Sequence, residues 1–258
     1  MKKRKRNLKR RLAGLSLGLL LLLPSCIRQD GKESYLYPSV TYSYSTTVDE
    51  TVLTTGLDKT YLYLANKQQP VSEDYDPGTL VTLSTAYSKG GIQLESRTAQ
   101  ALYAMMDEMR ACGVSDVYVT SAYRTFSYQQ YLYNKYIAEE EAKGLSHADA
   151  VKAAERYSAP PGYSEHQTGF VVDFMTSTMS DLDESFEGTR AFAWLSENCY
   201  RFGFILRYPK AADKIAITGY NYEPWHYRFV GREAATEIMK RGITLEEFLA
   251  MDFQAVKK

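Results

Sequence analysis

The chain has 258 residues, a formal net charge of zero and 45% hydrophobic residues, enough for one ordinary core and a flexible arm. No domain-wide excess of Lys and Arg exists to displace counterions from phosphates, so a nucleic-acid partner is not expected. The basic residues that do cluster occupy positions 1–11, MKKRKRNLKRR, and the segment after them argues against a nuclear or RNA-binding tail.

Residues 12–23, LAGLSLGLLLLL, form an apolar run that stops at Pro24-Ser25-Cys26. A basic start, about a dozen apolar residues and then small residues is the layout of a secretory signal peptide, and the run is shorter than the roughly 20 residues of a spanning helix. The cysteine after Leu23-Pro24-Ser25 resembles a bacterial lipoprotein signal. Residues 1–26 are therefore expected to be a leader, with a lipidated Cys26 that anchors the chain to the cell membrane preferred over plain secretion or an uncleaved anchor; each reading places the folded part outside the cytoplasm. Cys112 and Cys199 either pair or fill space as small buried residues near the ends of helical patterns; the second reading is preferred.

Residues 27–55 are rich in Ser, Thr and Tyr without an apolar period and read as a flexible tether. The domain is expected to run over residues 56–258, with a first strand at Tyr61-Leu62-Tyr63-Leu64 and a loop at 74–78. From Glu95 to Cys112, Ala99, Leu102, Met106 and Met109 recur at helical spacing, and Gly113 supplies a stop. Val117-Tyr118-Val119 reads as a short strand delivering Ser121-Ala122-Tyr123-Arg124 at its end. Ser127 and Ser146 are the expected caps of two further helices, reaching about Lys143 and Arg156. After turn-rich Ser158-Ala159-Pro160-Pro161-Gly162, the run Phe170-Val171-Val172-Asp173-Phe174 is an expected central strand. A helix from Thr189 to Phe202, a strand at Phe204-Ile205-Leu206 and an extended stretch at 222–230 follow. Thr244-Leu245-Glu246-Glu247 is a capping box that opens a last short helix. The pattern is α+β, a single domain with a small, mostly antiparallel sheet flanked by helices, expected to be a monomer.

Histidine is the informative residue, because the chain has only three. His147 sits just inside a helix start and reads as solvated surface. His166 lies in Gly162-Tyr163-Ser164-Glu165-His166-Gln167-Thr168-Gly169, ahead of Asp173 on the apolar strand. An aspartate among Val171, Val172 and Phe174 is costly to bury unless a metal or an arginine faces it. A turn at Gly169 would let His166 fold back toward it. His226 lies in Tyr222-Glu223-Pro224-Trp225-His226-Tyr227, where Pro224 forbids a central helix and a bulge or strand end must bring Glu223 and His226 together. Either histidine alone is more often structural than catalytic. Together, two histidines and one carboxylate make three ligands for a catalytic zinc with a fourth position left for water. Glu223 is then the candidate proton carrier, and Trp225 a packing wall beside the site.

The set Ser-Glu-His-Gln-Thr-Gly-x-x-x-Asp and Glu-x-Trp-His, preceded by Ser-x-Tyr-Arg-x-x-x-x-Gln, resembles the D-alanyl-D-alanine carboxypeptidase family of the VanY type, which includes L,D-carboxypeptidases. The resemblance covers roughly residue 61 to the C-terminus. It implies a zinc site in a cleft, with His166, Asp173 and His226 as ligands to one Zn2+ and Glu223 as general base. It further implies that Arg124 acts in catalysis and binds substrate, and that Gln129 and Ser164 face the substrate. The implied activity is removal of a C-terminal D-alanine from peptidoglycan stem peptides, D,D or L,D, by attack of zinc-activated water. A peptidoglycan endopeptidase with the same zinc site and a catalytically silent wall-binding lipoprotein are the alternatives.

Overall fold

The computed structural model describes residues 42–251 in full and, ahead of them, the backbone of two strands. The chain divides into two units, Met1–Thr41 and Tyr42–Lys258. In the first, β1 (Ser25–Gln29) pairs antiparallel with β2 (Lys32–Leu36), Cys26 opposite Tyr35. Residues 1–24, which carry most of the leader expectation, lie outside the described residues. No described helix is long and apolar enough to cross a membrane.

The second unit opens with a segment that the sequence suggested would be loose, and its residues 42–55 correct the tether expectation. Leu53, at the end of α1 (Glu50–Leu53), is fully buried in the main core, and Tyr44, Val48 and Val52 pack against it. The reason is polar as well as apolar. Glu108 is buried, and its two oxygens accept from the Ser45 and Thr46 backbone N–H groups and the Thr46 hydroxyl at 2.8–3.0 Å. A Ser/Thr-rich stretch without apolar period is thus held by its backbone donors. Glu108→Ala should lower unfolding stability by on the order of 2 kcal/mol, since several donors lose a charged acceptor at once. Denaturant titration checks this, and an unchanged midpoint would show that the segment is not held there.

β3 (Leu80–Thr82) and β4 (Gln93–Glu95) form a small antiparallel hairpin that leads into α2 (Ser96–Ala111). The Glu95 side chain caps α2 by accepting from the N–H groups of Arg97 and Thr98, and Ala99, Leu102, Met105, Met106 and Met109 supply its buried stripe. The central sheet is four-stranded and antiparallel, in the order β5 (Val117–Ser121), β6 (Val171–Thr176), β8 (His226–Phe229), β7 (Phe204–Leu206). Every residue of β6 is buried, as its interior place requires. Phe174, Phe204, Tyr227 and Phe229 join the α2 residues in one core, each fully buried side chain contributing roughly 1.5–3 kcal/mol.

The remaining helices are α3 (Phe126–Ala142), α4 (His147–Ala154), α5 (Arg190–Asn198), α6 (Ala212–Thr218), α7 (Arg232–Arg241) and α8 (Leu245–Ala250). Ser146 caps α4, and the Thr244–Glu247 capping box opens α8. Thr125, not Ser127, caps α3: its hydroxyl accepts from the Tyr128 N–H at 3.1 Å. Residues 61–64 are turn and irregular chain instead of a first strand, and the carbonyls of Tyr61 and Tyr63 accept from the buried Arg228 guanidinium. The helix expected over 189–202 is α5 followed by a 3-10 turn, Cys199–Phe202. Cys112 is exposed and Cys199 buried, both free, and burial pushes the Cys199 thiol up to about 12.

Candidate metal centre

Strand register builds the site. Ser121, at the end of β5, pairs with Asp173 on β6, and Asp173 pairs on its other side with His226, the first residue of β8. Residues opposite one another across a sheet share a face, so the register sets Asp173 and His226 side by side although they are 53 positions apart in the chain. Pro224 ends any continuation of β8, and the His226 N–H donates to the Glu223 carbonyl at 3.2 Å across the resulting turn. That turn folds the Glu223 carboxylate back to 3.5 Å from His226 Nδ1.

His166 arrives from a 3-10 turn, Glu165–Thr168, whose cap Ser164 accepts from the His166 N–H at 3.4 Å. The turn ends at Gly169, in the left-handed region with φ 78°, where a side chain would also press on Pro77 at 3.2 Å. This reversal sets His166 Nε2 3.2 Å from Asp173 Oδ2. The opposite nitrogen, Nδ1, lies 2.5 Å from the Ala122 carbonyl, which requires a proton on Nδ1 and, in the neutral ring that burial favours, leaves the lone pair on Nε2. Arg124 is stitched to the same turn, its N–H donating to the His166 carbonyl at 3.1 Å.

His166, Asp173 and His226 each offer a ligand atom, all within 4.8 Å of one another. Asp173 Oδ1 lies 3.1 Å from His226 Nδ1, yet it is buried with no aligned hydrogen-bond partner. An orphaned carboxylate oxygen between two imidazoles is costly in a dry interior, and a cation there relieves it. A His2Asp donor set with room for another ligand suits zinc. The residues present therefore fit the ion.

The charges are strongly coupled. Burial alone would raise the Asp173 carboxyl, but the facing imidazoles of His166 and His226 hold it well below the usual range. Burial lowers His166, with the Arg124 charge acting the same way. Burial likewise opposes a charge on His226, but Asp173 and Glu165 outweigh it and lift His226 to about 9. Glu223 is raised to about 7, chiefly by its burial.

These groups line a cavity of about 420 Å³ together with Arg124, Ser164 and Trp225. Arg124, Tyr136, Asp181 and Leu182 line both this cavity and a second groove of about 720 Å³. Arg124 is held as a fork: Nε and Nη2 donate to Ser121 Oγ at 3.1 and 2.9 Å, and Nη2 also to Asp173 Oδ2 at 3.1 Å. Gln129, expected to face the substrate, is only 1% exposed and does not line either cavity. Its amide donates to the Ala159 carbonyl at 2.8 Å and its oxygen accepts from Arg124 Nη1 at 3.3 Å, so it braces Arg124 from behind. His147 stays at the surface, 2.7 Å from Glu141.

One residue escaped the sequence reading. Glu165 is buried between Arg207 and Arg228, with its second oxygen turned toward His226. Burial would raise its carboxyl, but the two guanidinium groups hold it well below the usual range. The signal was available: Arg207 and Arg228 follow or interrupt apolar strands, where a cation needs a buried counter-charge.

The chain spans 65% of the length of the D-alanyl-D-alanine carboxypeptidase of Enterococcus faecalis, with 42% identity over 188 residues, or 73% of this chain. It is similar to a zinc-bound crystal structure of a variant of the vancomycin-resistance D,D-pentapeptidase VanY, at 43% identity and a TM-score of 0.64 over 74% of this chain and 99% of that one. It is also similar to the L,D-carboxypeptidase LdcB, at 30% identity and a TM-score of 0.62 over 88% of this chain and 93% of that one. The family model described as "VanY: D-alanyl-D-alanine carboxypeptidase" matches residues 91–232, more than half of the chain, and the chain belongs to that family.

Proposed function

We propose that the protein is a zinc-dependent carboxypeptidase that removes the terminal D-alanine of peptidoglycan pentapeptide stems. The observation that carries this reading is the convergence of His166, Asp173 and His226 with the buried Glu223 in one cavity. His166, Asp173 and His226 would hold the ion, which when bound would supply a lowered pKa for water, to about 7, and polarisation of the scissile carbonyl.

The protein's own groups do the rest. Glu223, 3.5 Å from His226, takes a proton from the attacking water and hands it to the departing amine. Burial, which lifts this carboxyl, suits it to take and return a proton near neutral pH. Arg124 presents a fixed cation to the negative charge that develops on the carbonyl oxygen, or to the substrate carboxylate. The Ser164 hydroxyl accepts from the His166 N–H, which leaves its own proton to donate to a terminal carboxylate. The remainder of the stem leads away through the groove beyond Arg124. An N-terminal leader with a lipidated Cys26 would hold the domain outside the cell membrane, facing the wall.

The identity to the D,D relatives, 42% and 43% against 30% for the L,D enzyme, supports the D,D preference. Purified protein incubated with pentapeptide, tetrapeptide and cross-linked stems separates the readings by mass spectrometry of the products. Loss of one alanine from the pentapeptide is expected. Loss from the tetrapeptide alone would make the enzyme L,D, and scission only within cross-links would make it an endopeptidase. A zinc-loaded protein that cuts none of them would leave a silent wall binder.

A further inference from the structure

We propose that Glu165 is a positioning residue: it accepts the Nε2 proton of His226 and thereby presents the opposite nitrogen, Nδ1, to the metal. The inference rests on the zinc reading above and goes beyond it by assigning the tautomer of each ligand and the group that sets it.

A neutral imidazole carries a proton on one nitrogen and a lone pair on the other, so a ligating histidine must donate from the nitrogen that does not bind. His226 Nδ1 lies inside the metal group, 3.1 Å from Asp173 Oδ1. Its Nε2 faces away from that group, 3.6 Å from Glu165 Oε2. Both Nε2 and Oε2 are buried and neither has any other hydrogen-bond partner. Two orphaned atoms of opposite hydrogen-bonding character face each other just beyond bonding distance, and a small ring rotation joins them. His166 solves the same problem the other way round. Its Nδ1 proton goes to the Ala122 carbonyl, and Nε2 is left for the ion. The two ligands therefore present different nitrogens, each fixed by a different acceptor.

For this role Glu165 must stay anionic with one oxygen free, and its surroundings provide both. Oε1 alone takes the two cations, Arg207 Nε at 2.8 Å and Arg228 Nη1 at 3.0 Å. Arg207 is occupied on its other side by Glu246, at 2.6 and 2.9 Å. Arg228 is occupied by the carbonyls of Phe229, Tyr61 and Tyr63, at 3.0, 3.1 and 2.8 Å. Both guanidinium groups reach Glu165 through Oε1, so that among the described residues Oε2 has no hydrogen-bond partner and faces His226 Nε2. A buried ion cluster is in itself poor evidence for stabilisation, because apolar residues of similar volume often serve as well. The asymmetric use of the two oxygens points instead to a held charge aimed at His226. Arg228 stands two residues beyond His226 on β8, so the strand that carries the ligand also carries the clamp on its acceptor.

The test is imidazole nitrogen-15 NMR on the zinc-loaded wild-type protein, in which the three histidines keep the spectrum simple and exposed His147 is the reference. His226 is expected protonated at Nε2 with Nδ1 on the metal, and His166 protonated at Nδ1. A proton on His226 Nδ1 would overturn the proposal. The second arm is Glu165→Gln, whose zinc affinity in competition with a chelator should fall by roughly 10- to 100-fold. A folded variant with wild-type affinity would also overturn it, whereas a variant that fails to fold leaves the wild-type spectrum to decide. If these tautomers and the affinity loss of Glu165→Gln are found in a protein that cuts no stem peptide, the proposed activity fails and the role of Glu165 stands.

Discussion

Glu223→Gln is expected to bind zinc with wild-type affinity and to lose turnover by roughly 10²- to 10⁴-fold, the usual contribution of a positioned general acid–base. The substitution keeps volume and hydrogen-bonding shape, so the turn across Pro224 and the opposed pair Asp173–His226 remain in place. What disappears is, among the described residues, the only cavity-lining carboxylate outside the proposed ligand set that lies as close as 3.5 Å to His226 Nδ1. The loss should appear in kcat with KM little changed, because the proton transfer belongs to the transition state and not to binding. Steady-state kinetics beside a zinc-affinity measurement checks it. Near-normal turnover would remove Glu223 from the mechanism.

Arg124→Lys is the second large effect, with a loss of roughly 10²- to 10³-fold in kcat/KM, the scale seen when a preorganised donor to a developing oxyanion is removed. The change keeps the charge and removes the geometry. The Arg124 fork bonds Ser121, Gln129 and Asp173 at once while still lining the cavity, and one ammonium cannot repeat that pattern. The division of the loss is informative. A fall in kcat assigns Arg124 to the carbonyl oxygen, and a rise in KM assigns it to the substrate carboxylate. Wild-type kcat/KM would mean that Arg124 serves only as the ion-pair partner of Asp173.

Much of this site was legible from residue type and spacing. Asp173 in an apolar strand required a cation or hydrogen-bonding partner, and Gly169 offered the reversal that turns His166 toward it. Glu223 and His226 needed a bulge or strand end between them to meet, and β8 begins at His226, just past Pro224. The helices with clear period and caps, α2 and α8 among them, fall close to their expected bounds.

Apart from the α3 cap, where Thr125 outcompetes its neighbour Ser127, the misreadings share a cause, which is that the deciding partner is distant in sequence. Tyr61 to Leu64 has strand composition, but the Tyr61 and Tyr63 carbonyls are taken by Arg228, more than 160 residues away. Ser45 and Thr46 look like linker until Glu108 accepts from their backbones. Gln129 sits at the right distance from Arg124 to line a cleft, yet its amide is drawn back to Ala159. Glu165 was visible only as a letter in a motif, because its meaning depends on Arg207, Arg228 and His226 meeting around it.

The most direct measurement is D-alanine release from a stem pentapeptide by one protein sample carried through chelation and stepwise return of zinc. The expected result is release that stops on chelation and recovers fully at one zinc per chain. Release that survives complete chelation, or its absence from the zinc-loaded protein, would contradict the assignment of His166, Asp173 and His226 as the centre of a zinc carboxypeptidase.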